Sequence, residues 1–220
     1  MNEISLCLPK GEHLGIVASF LKEAGFPIKG YTADNRTYRP IVNEIDNVRA
    51  KIFAEKDVAI QVAVGNYSIG FCGLAWIEEY RRKFPNSELR ILRKLGIDKK
   101  TIYACCHKSL EGISIEEFKQ RHSQIRMVSE FPNLCEDFAL NNRFRGFKVF
   151  SAWGSVEPYV PEHAELVVLT VKEMDSLAAH DLAPIASVLE SELCLVINQR
   201  DYENEDLSPV LRYLTYASQL

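Results

Sequence analysis

The chain has 220 residues, of which 47% are hydrophobic and 25% charged, with a formal net charge of −4. These values are ordinary for a globular protein, and they lack the basic excess that a nucleic-acid or anionic-membrane surface requires. We find no run of 18 apolar residues that would predict a transmembrane helix, and no signal-peptide pattern at the start. We therefore expect a cytoplasmic protein with neither a nucleic-acid nor a membrane partner.

Short apolar runs alternate with segments of helical periodicity along the chain. The predicted strands are 4–8, 50–54, 67–72, 89–95, 101–106, 125–129, 147–152, 166–170 and 192–198. The predicted helices are 13–24, one capped by Asp57 and ending at Gly65, 74–83, 114–121 with a capping box at Ser114, one from Pro132, one from Ser155, and a final amphipathic segment through Leu214. The alternation predicts an α/β fold with a mostly parallel sheet.

Two similar strand–helix–strand–helix stretches flank the strand at 101–106. This arrangement predicts two lobes joined by a hinge of crossing strands. Residues 1–100 and 190–220 would form lobe I, and residues 101–189 would form lobe II. A small-molecule ligand would then bind in the cleft between the lobes, near the carboxyl ends of the strands.

The six cysteines form no C-x-x-C pair, and most lie inside apolar, strand-like runs. We predict reduced, buried thiols that act as small hydrophobic groups. A zinc site or a nucleophilic cysteine is the alternative, although no ligand pattern points to a particular metal site.

Two strand-to-helix turns carry residues suited to ligand binding. In the first, Lys10 and Gly11 place a cation and free backbone N–H groups at a helix entrance, where an anion binds well. In the second, Gly154 permits close backbone approach, Ser155 can cap the following helix, and Glu157 can reach a ribose hydroxyl. The structural alternatives are a plain turn with a solvated lysine and an ordinary capped helix.

Arg36 and Arg39 lie in a long polar loop between residues 27 and 45. Paired arginines can hold a phosphate through bidentate hydrogen bonds, so these two are further candidates for ligand binding. Solvated loop arginines are the alternative.

Taken in order, five segments resemble the catalytic subunit of ATP phosphoribosyltransferase, the first enzyme of histidine biosynthesis. They are Leu8-Pro9-Lys10-Gly11, Gly70-Phe71-Cys72-Gly73, the run 127–133, Gly154-Ser155-Val156-Glu157 and the strand 194–198. The resemblance runs from about residue 4 to 199. It implies a two-lobed α/β architecture, the periplasmic-binding-protein-like fold of type II.

The length resembles the short form of that family. The resemblance implies a homodimer, a possible regulatory subunit similar to histidyl-tRNA synthetase, and Mg²⁺ as cofactor if the chain is active. We expect Glu157 to act at the catalytic centre of an active chain. The expected ligand-binding residues are Lys10, Gly11, Arg36, Arg39, Gly154, Ser155 and Ser176.

One segment departs from the family. Its phosphoribosyl-pyrophosphate loop has the form D-x-x-x-T-G-x-T-L, and here the aligned residues are 169–177. Glu173 and Met174 replace the Thr-Gly pair, Asp175 adds a second carboxylate, and only Ser176 and Leu177 are retained in kind. A like charge at about 4 Å costs on the order of 4 kcal/mol at an effective dielectric near 20, which is roughly a thousandfold in affinity.

The sequence thus supports more than one function. The first is a binding or regulatory homologue that has lost the phosphoribosyl-pyrophosphate site and takes a less anionic small molecule. The second is an active ATP phosphoribosyltransferase with altered phosphate contacts, and the third is an enzyme of a different reaction class in the same cleft.

Overall fold

The computed structural model describes residues 3–34 and 37–216, so that Arg36 lies outside the described residues. The strands are β1 (Ile4–Pro9), β2 (Ile28–Lys29), β3 (Ile41–Val42), β4 (Val48–Phe53), β5 (Ile69–Gly73), β6 (Leu89–Lys94), β7 (Lys100–His107), β8 (Ile125–Ser129), β9 (Phe147–Ser151), β10 (Leu166–Val171), β11 (Leu182–Ser191) and β12 (Leu193–Asn198). The α-helices are α1 (Glu12–Glu23), α2 (Glu55–Ala63), α3 (Leu74–Lys83), α4 (Ile115–Arg121), α5 (Pro132–Asn141), α6 (Asp175–Ala178), α7 (Gln199–Asn204) and α8 (Ser208–Tyr216). Short 3₁₀ helices span Lys108–Leu110 and Glu157–Tyr159.

The chain divides into two compact units. Unit 1 holds the residues up to Asp98 together with those from Glu192 onward, and unit 2 holds Lys99–Ser191. The chain therefore passes between the units twice, after Asp98 and after Ser191. Within the described ranges, we find no helix with the length and apolar character needed to cross a membrane.

The sheet of unit 1 has five strands in the order β4-β1-β5-β12-β6. β1 pairs in parallel with β4 and β5, whereas β12 pairs antiparallel with β5 and β6. The prediction of a mostly parallel sheet is therefore wrong. It failed because β12 enters this sheet after the chain has returned from unit 2, and local periodicity does not encode the direction of a returning strand.

The central strands of unit 1 are buried on both faces. On one face, Leu6, Phe71 and Leu195 pack in a cluster with residues of α1 and α8. On the other, Cys7 and Cys194 pack in a cluster with residues of α2 and α3. The alternation of side chains along each strand produces these two clusters, so the sheet lies between two layers of helices.

α2 lies close to this sheet at Gly70 of β5. A Cβ atom at Gly70 would lie 2.9 Å from Val58 Cγ1 and 2.9 Å from Val62 Cγ2, and both valines are fully buried. We expect Gly70→Ala to lower the free energy of unfolding by about 1–3 kcal/mol through overpacking.

The matched control for that substitution is Gly15→Ala. Gly15 lies in the exposed interior of α1 with no neighbouring atom within 4 Å of its added Cβ. This change should raise the free energy of unfolding by about 0.5–1 kcal/mol, because alanine is the better helix former. Urea denaturation of both variants measures the difference, and equal effects would contradict the packing argument.

The sheet of unit 2 also has five strands, in the order β11-β7-β10-β8-β9. β8 pairs in parallel with β9 and β10, whereas β7 pairs antiparallel with β10 and β11. α5 packs on β8 and β9. The carboxyl ends of β8, β9 and β10 therefore lie at one edge of this sheet, where three loops begin.

Most predicted elements are present, and α3 and β8 have the predicted bounds. The capping box at Ser114 is confirmed, since its hydroxyl accepts from Glu117 N and the Glu117 carboxylate accepts from Ser114 N. The caps predicted at Asp57 and Ser155 are wrong. α2 begins earlier, with Ala54 at its N-cap, and a 3₁₀ turn preceded by Val156 stands in place of the helix expected from Ser155.

The strand β11 was not predicted from the sequence. This strand contains Pro184 and two register shifts against β7, and these irregularities break the period of two that identifies a strand.

Candidate functional site

The turn after β1 has the conformation that the sequence predicted. Gly11 stands at the N-cap of α1 with φ of +77°, a value that glycine adopts readily. The Lys10 ammonium lies 5.7 Å from the centroid of the exposed Tyr38 ring. The buried Tyr31 hydroxyl donates to Pro9 O at 2.6 Å, which holds the end of β1. This hydrogen bond anchors the start of the turn, and the cation lies beside an aromatic ring.

A buried histidine between two carboxylates lies next to this turn. His13, in the first turn of α1, is 6% exposed. Its Nδ1 lies 2.7 Å from Glu55 Oε2, and its Nε2 lies 2.5 Å from Asp98 Oδ2. Glu55 Oε1 also accepts from Gly73 N at 2.8 Å. Both distances allow ion pairs if the imidazole carries two protons, although neither contact has hydrogen-bond geometry.

This His13–Glu55–Asp98 cluster joins four segments of unit 1: the start of α1, the start of α2, the end of β5 and the connection after β6. The cluster was not predicted from the sequence, because Glu55 is 42 positions from His13 and Asp98 is 43 positions from Glu55. One local signal of the cluster is present in the sequence. A protonated histidine in the first turn of a helix is disfavoured by the helix dipole, and a nearby carboxylate would offset that effect.

Arg39 follows Tyr38, whose ring lies near the Lys10 ammonium. It is exposed and lines a hollow of about 350 Å³ beside β4, together with Arg49 and Lys51. Lys10 is not among the residues that line this hollow. Because Arg36 falls outside the described residues, the predicted pair of arginines stays a prediction.

At the carboxyl edge of unit 2, Ser129 joins the loops that follow the parallel strands. It is fully buried at the end of β8, and its hydroxyl donates to Val168 O at 2.6 Å. The same oxygen accepts from Phe131 N at 2.9 Å, and Ser129 O accepts from Ala152 N at 3.1 Å. Ser129 thus connects β10, the start of α5 and the segment after β9.

The loop after β9 contains the predicted residues Gly154, Ser155 and Glu157. Gly154 has φ of +102°, as expected for a position that needs glycine, and it is exposed. Ser155 is exposed and provides no helix cap. Glu157 Oε2 is buried and has no hydrogen-bond partner among the described residues. A buried carboxylate oxygen is costly without a donor, so this atom is suited to accept from a bound molecule.

The loop after β10 forms a short helical turn. Met174 has φ of −62° and ψ of −31°, and Glu173, Met174, Asp175 and Ser176 are exposed. Ser176 donates from both N and Oγ to Glu173 O, at 3.1 and 2.7 Å. The hydroxyl predicted to bind a ligand is therefore used inside its own turn.

Buried apolar residues hold these last two loops on the same part of unit 2. Val156 and Leu177 belong to one hydrophobic cluster, beside Leu169 of β10. The structure thus brings Gly154, Ser155, Glu157 and Ser176 to one edge of unit 2, while Lys10 and Gly11 lie at the carboxyl edge of unit 1.

The cysteines are poor nucleophiles. All six are buried and free of disulfides, which confirms the sequence prediction. Burial raises the pKa of Cys105 and of Cys194 to about 12, and burial is also the main cause that raises the pKa of Cys7 and Cys72. These thiols remain protonated at neutral pH, whereas thiol chemistry needs the thiolate.

The chain is similar to known proteins both in sequence and in fold. The family model of HisG, ATP phosphoribosyltransferase, matches residues 54–215. An ATP phosphoribosyltransferase of Chlorobaculum parvum is 24% identical over 203 residues, which cover 92% of this chain and 66% of that protein. One of Thermodesulfovibrio yellowstonii is 23% identical over 202 residues, covering 91% and 66%. The chain spans just under two thirds of the length of these curated relatives.

Among solved structures, an ATP phosphoribosyl transferase (HisG:HisZ) complex from Thermotoga maritima contains a similar chain. The TM-score is 0.78 at 18% sequence identity, and the match covers 97% of this chain and 98% of that one. The likeness confirms the expected fold class: this is a two-lobed α/β protein of the type II periplasmic-binding-protein-like kind. With the family match over most of its length, the chain belongs to the ATP phosphoribosyltransferase (HisG) family.

Proposed function

We propose that the chain is a divergent member of this family that binds a small molecule of low negative charge and has lost the phosphoribosyl-pyrophosphate site. The observation that carries the proposal is the turn at Glu173, Met174 and Asp175, where two exposed carboxylates flank a methionine. A phosphate needs free N–H groups and a flexible glycine at such a turn. Here the residue at the glycine position is in the right-handed helical region, and Ser176 N donates within the turn.

The retained part of the site supports a neutral ligand. The buried Oε2 of Glu157 needs a hydrogen-bond donor, and a sugar hydroxyl is a donor that this carboxylate can accept from. Gly154, exposed and with positive φ, leaves the neighbouring backbone open to approach. An uncharged ribonucleoside satisfies both features without bringing a phosphate to Glu173 and Asp175.

The second candidate is an active ATP phosphoribosyltransferase, and the family match favours it. Adenine N1 would attack the anomeric carbon of phosphoribosyl pyrophosphate, and pyrophosphate would leave. The protein would contribute positioning and charge stabilisation, through Lys10, Arg39 and Glu157. The unpartnered Oε2 of Glu157 fits a role as carboxylate ligand to Mg²⁺, which would supply charge neutralisation of the leaving group.

Assembly and cellular context are also proposals. We infer a cytoplasmic homodimer from the family resemblance. A regulatory subunit similar to HisZ, the partner in the Thermotoga maritima complex, is proposed only for the active form. Under that alternative the chain would act in histidine biosynthesis.

A titration distinguishes the two functions. We expect adenosine to raise the melting temperature of the wild-type chain, and Glu157→Ala to abolish that shift because it removes both oxygens that could accept from a hydroxyl group. Phosphoribosyl pyrophosphate with Mg²⁺ should bind the 154–177 edge more weakly than about 100 μM, or roughly −5.5 kcal/mol. Formation of phosphoribosyl-ATP on mixing with ATP would establish the transferase instead.

A further inference from the structure

We propose that unit 2 carries a second ligand site, in a cavity of about 800 Å³ at the amino ends of β8 and β9, which binds a phosphate-bearing small molecule. The walls come from the end of α4 and from the connections that precede β8 and β9. The cations among the lining residues are Lys119, Arg143 and Arg145, with His122 beside them. The volume lies in the range of small-molecule sites.

This cavity is at the opposite end of the sheet from Gly154 and Glu157. Ile125 lines it at the first residue of β8, whereas Ser129, the last residue of that strand, lies at the carboxyl edge. A five-residue strand separates the two edges by roughly 15 Å. The cavity is therefore a different site from the one that the family resemblance predicts.

The balance of charge in the cavity favours an anion. Its one lining carboxylate, Glu116, pairs with Lys119 at 2.5 Å. Within the described part of the chain, neither Arg143 nor Arg145 has a carboxylate partner for its guanidinium. Arg126, one residue beyond Ile125, differs in this respect, since its guanidinium pairs with Glu165 at 2.7 Å. Two unpaired guanidinium groups match the geometry of a phosphate.

Hydrogen bonds hold the side chains of Lys119 and His122 in position. Lys119 Nζ also donates to Asn142 O at 2.9 Å, and its side chain is only 18% exposed. His122 Nδ1 lies 3.0 Å from Phe118 O, and its ring packs on Phe118 at 4.4 Å between centroids. A proton on Nδ1 satisfies that carbonyl, which leaves Nε2 as the ring atom available to a ligand.

The backbone at Arg143 is the least expected feature of this site. α5 ends in a Schellman motif, with Phe144 N donating to Ala139 O and Arg143 N donating to Leu140 O. Arg143 occupies the position where glycine is preferred, with φ of +55°. An arginine adopts this left-handed conformation less readily than glycine does. A role for the guanidinium in binding gives a reason for its presence.

The connection that carries Arg143 and Arg145 packs against the connection that precedes β8. A Cβ atom at Gly146 would lie 2.9 Å from Ser123 O, and Ile125 N donates to Gly146 O at 3.0 Å. The two connections that line the cavity therefore hold each other in place. A preformed hollow of this kind binds a ligand without first ordering its own loops.

The test uses pyrophosphate, inorganic phosphate and malonate as probes, with isothermal titration of the full chain at 0.15 M salt. We expect pyrophosphate to bind the wild type, and the double variant Arg143→Gly/Arg145→Gln to bind it at least about tenfold more weakly, since charge-assisted contacts of this size are lost. Because glycine suits the conformation of residue 143, the same variant should keep or raise the urea midpoint, which separates binding from folding.

The control is Arg121→Gln/Lys148→Gln, which removes two exposed cations of unit 2 that do not line the cavity. It should leave pyrophosphate affinity nearly unchanged. An equal loss in the control, no pyrophosphate binding at millimolar concentration, or malonate binding as tightly as pyrophosphate would each overturn the proposal. None of these variants touches residues 154–177, so the outcome is independent of the proposed function.

Discussion

Replacing Glu173, Met174 and Asp175 with Thr, Gly and Asn should raise the affinity for Mg²⁺-phosphoribosyl pyrophosphate by roughly a thousandfold. Each carboxylate at about 4 Å from a phosphate costs on the order of 4 kcal/mol at an effective dielectric near 20. The gain need not be twice that amount, because a carboxylate at an exposed turn can rotate away from the ligand. Glycine in place of Met174 also frees a backbone that now has φ of −62°.

The measurement is a calorimetric titration, with fluorescence as a second signal. Trp153 is exposed beside Gly154 and reports on this edge of unit 2. Both the grafted and the original loop are compared in the Arg143→Gly/Arg145→Gln background, so that the cavity at the other end of the sheet does not contribute.

The control for the graft is Glu162→Gln, which removes an exposed carboxylate that precedes β10, at the opposite end of that strand from the turn. It should change the affinity by less than about threefold, because distant exposed charges are screened by salt. If the graft binds no better than this control, the turn at 173–175 is not what excludes the phosphate.

Substituting His13 with leucine should lower the free energy of unfolding by roughly 3–5 kcal/mol. The side chains of Glu55 and Asp98 are 19% and 12% exposed, and both would lose their counter-charge. A loss of this size is a large part of the roughly 5–15 kcal/mol that stabilises a typical domain. Breaking one partner of a buried ion pair is costly because the remaining charge is left without compensation.

The comparison variants separate charge from packing. His13→Leu/Glu55→Gln/Asp98→Asn removes the uncompensated charges and should recover most of the lost stability, since the amide oxygen introduced by Glu55→Gln could still accept from Gly73 N. His180→Leu, at an exposed histidine, should change stability by no more than about 0.5 kcal/mol.

Urea denaturation followed by fluorescence measures these effects in unit 1. The chain has two tryptophans, and in a Trp153→Phe background the signal comes from Trp76 of α3. A cost below about 1 kcal/mol for His13→Leu would show that the two carboxylates are well solvated without the imidazolium.

The candidate ligand-binding residues differ in how well their surroundings could be predicted from the sequence. Gly11 and Gly154 were placed in turns after strands from sequence alone, and both turns are present, with a positive φ at each glycine. Their role in binding a ligand stays a prediction. The residues that surround Arg39 and Ser176 could not be predicted from a local signal of this kind. Whether an arginine or a hydroxyl is available to a ligand depends on neighbours such as Arg49 and the carbonyl of Glu173.

By itself, the sequence determined most of the order of strands and helices, the burial of the cysteines and membership of the ATP phosphoribosyltransferase family. Each of these depends on periodicity, apolar composition or an ordered set of motifs, which are properties of short segments. Only the tertiary structure decided that β12 runs antiparallel to its neighbours, that His13 lies between Glu55 and Asp98, and that Arg143 and Arg145 share a cavity. These depend on contacts between residues distant in sequence, and no local pattern of side chains specifies which distant partner a charge will meet.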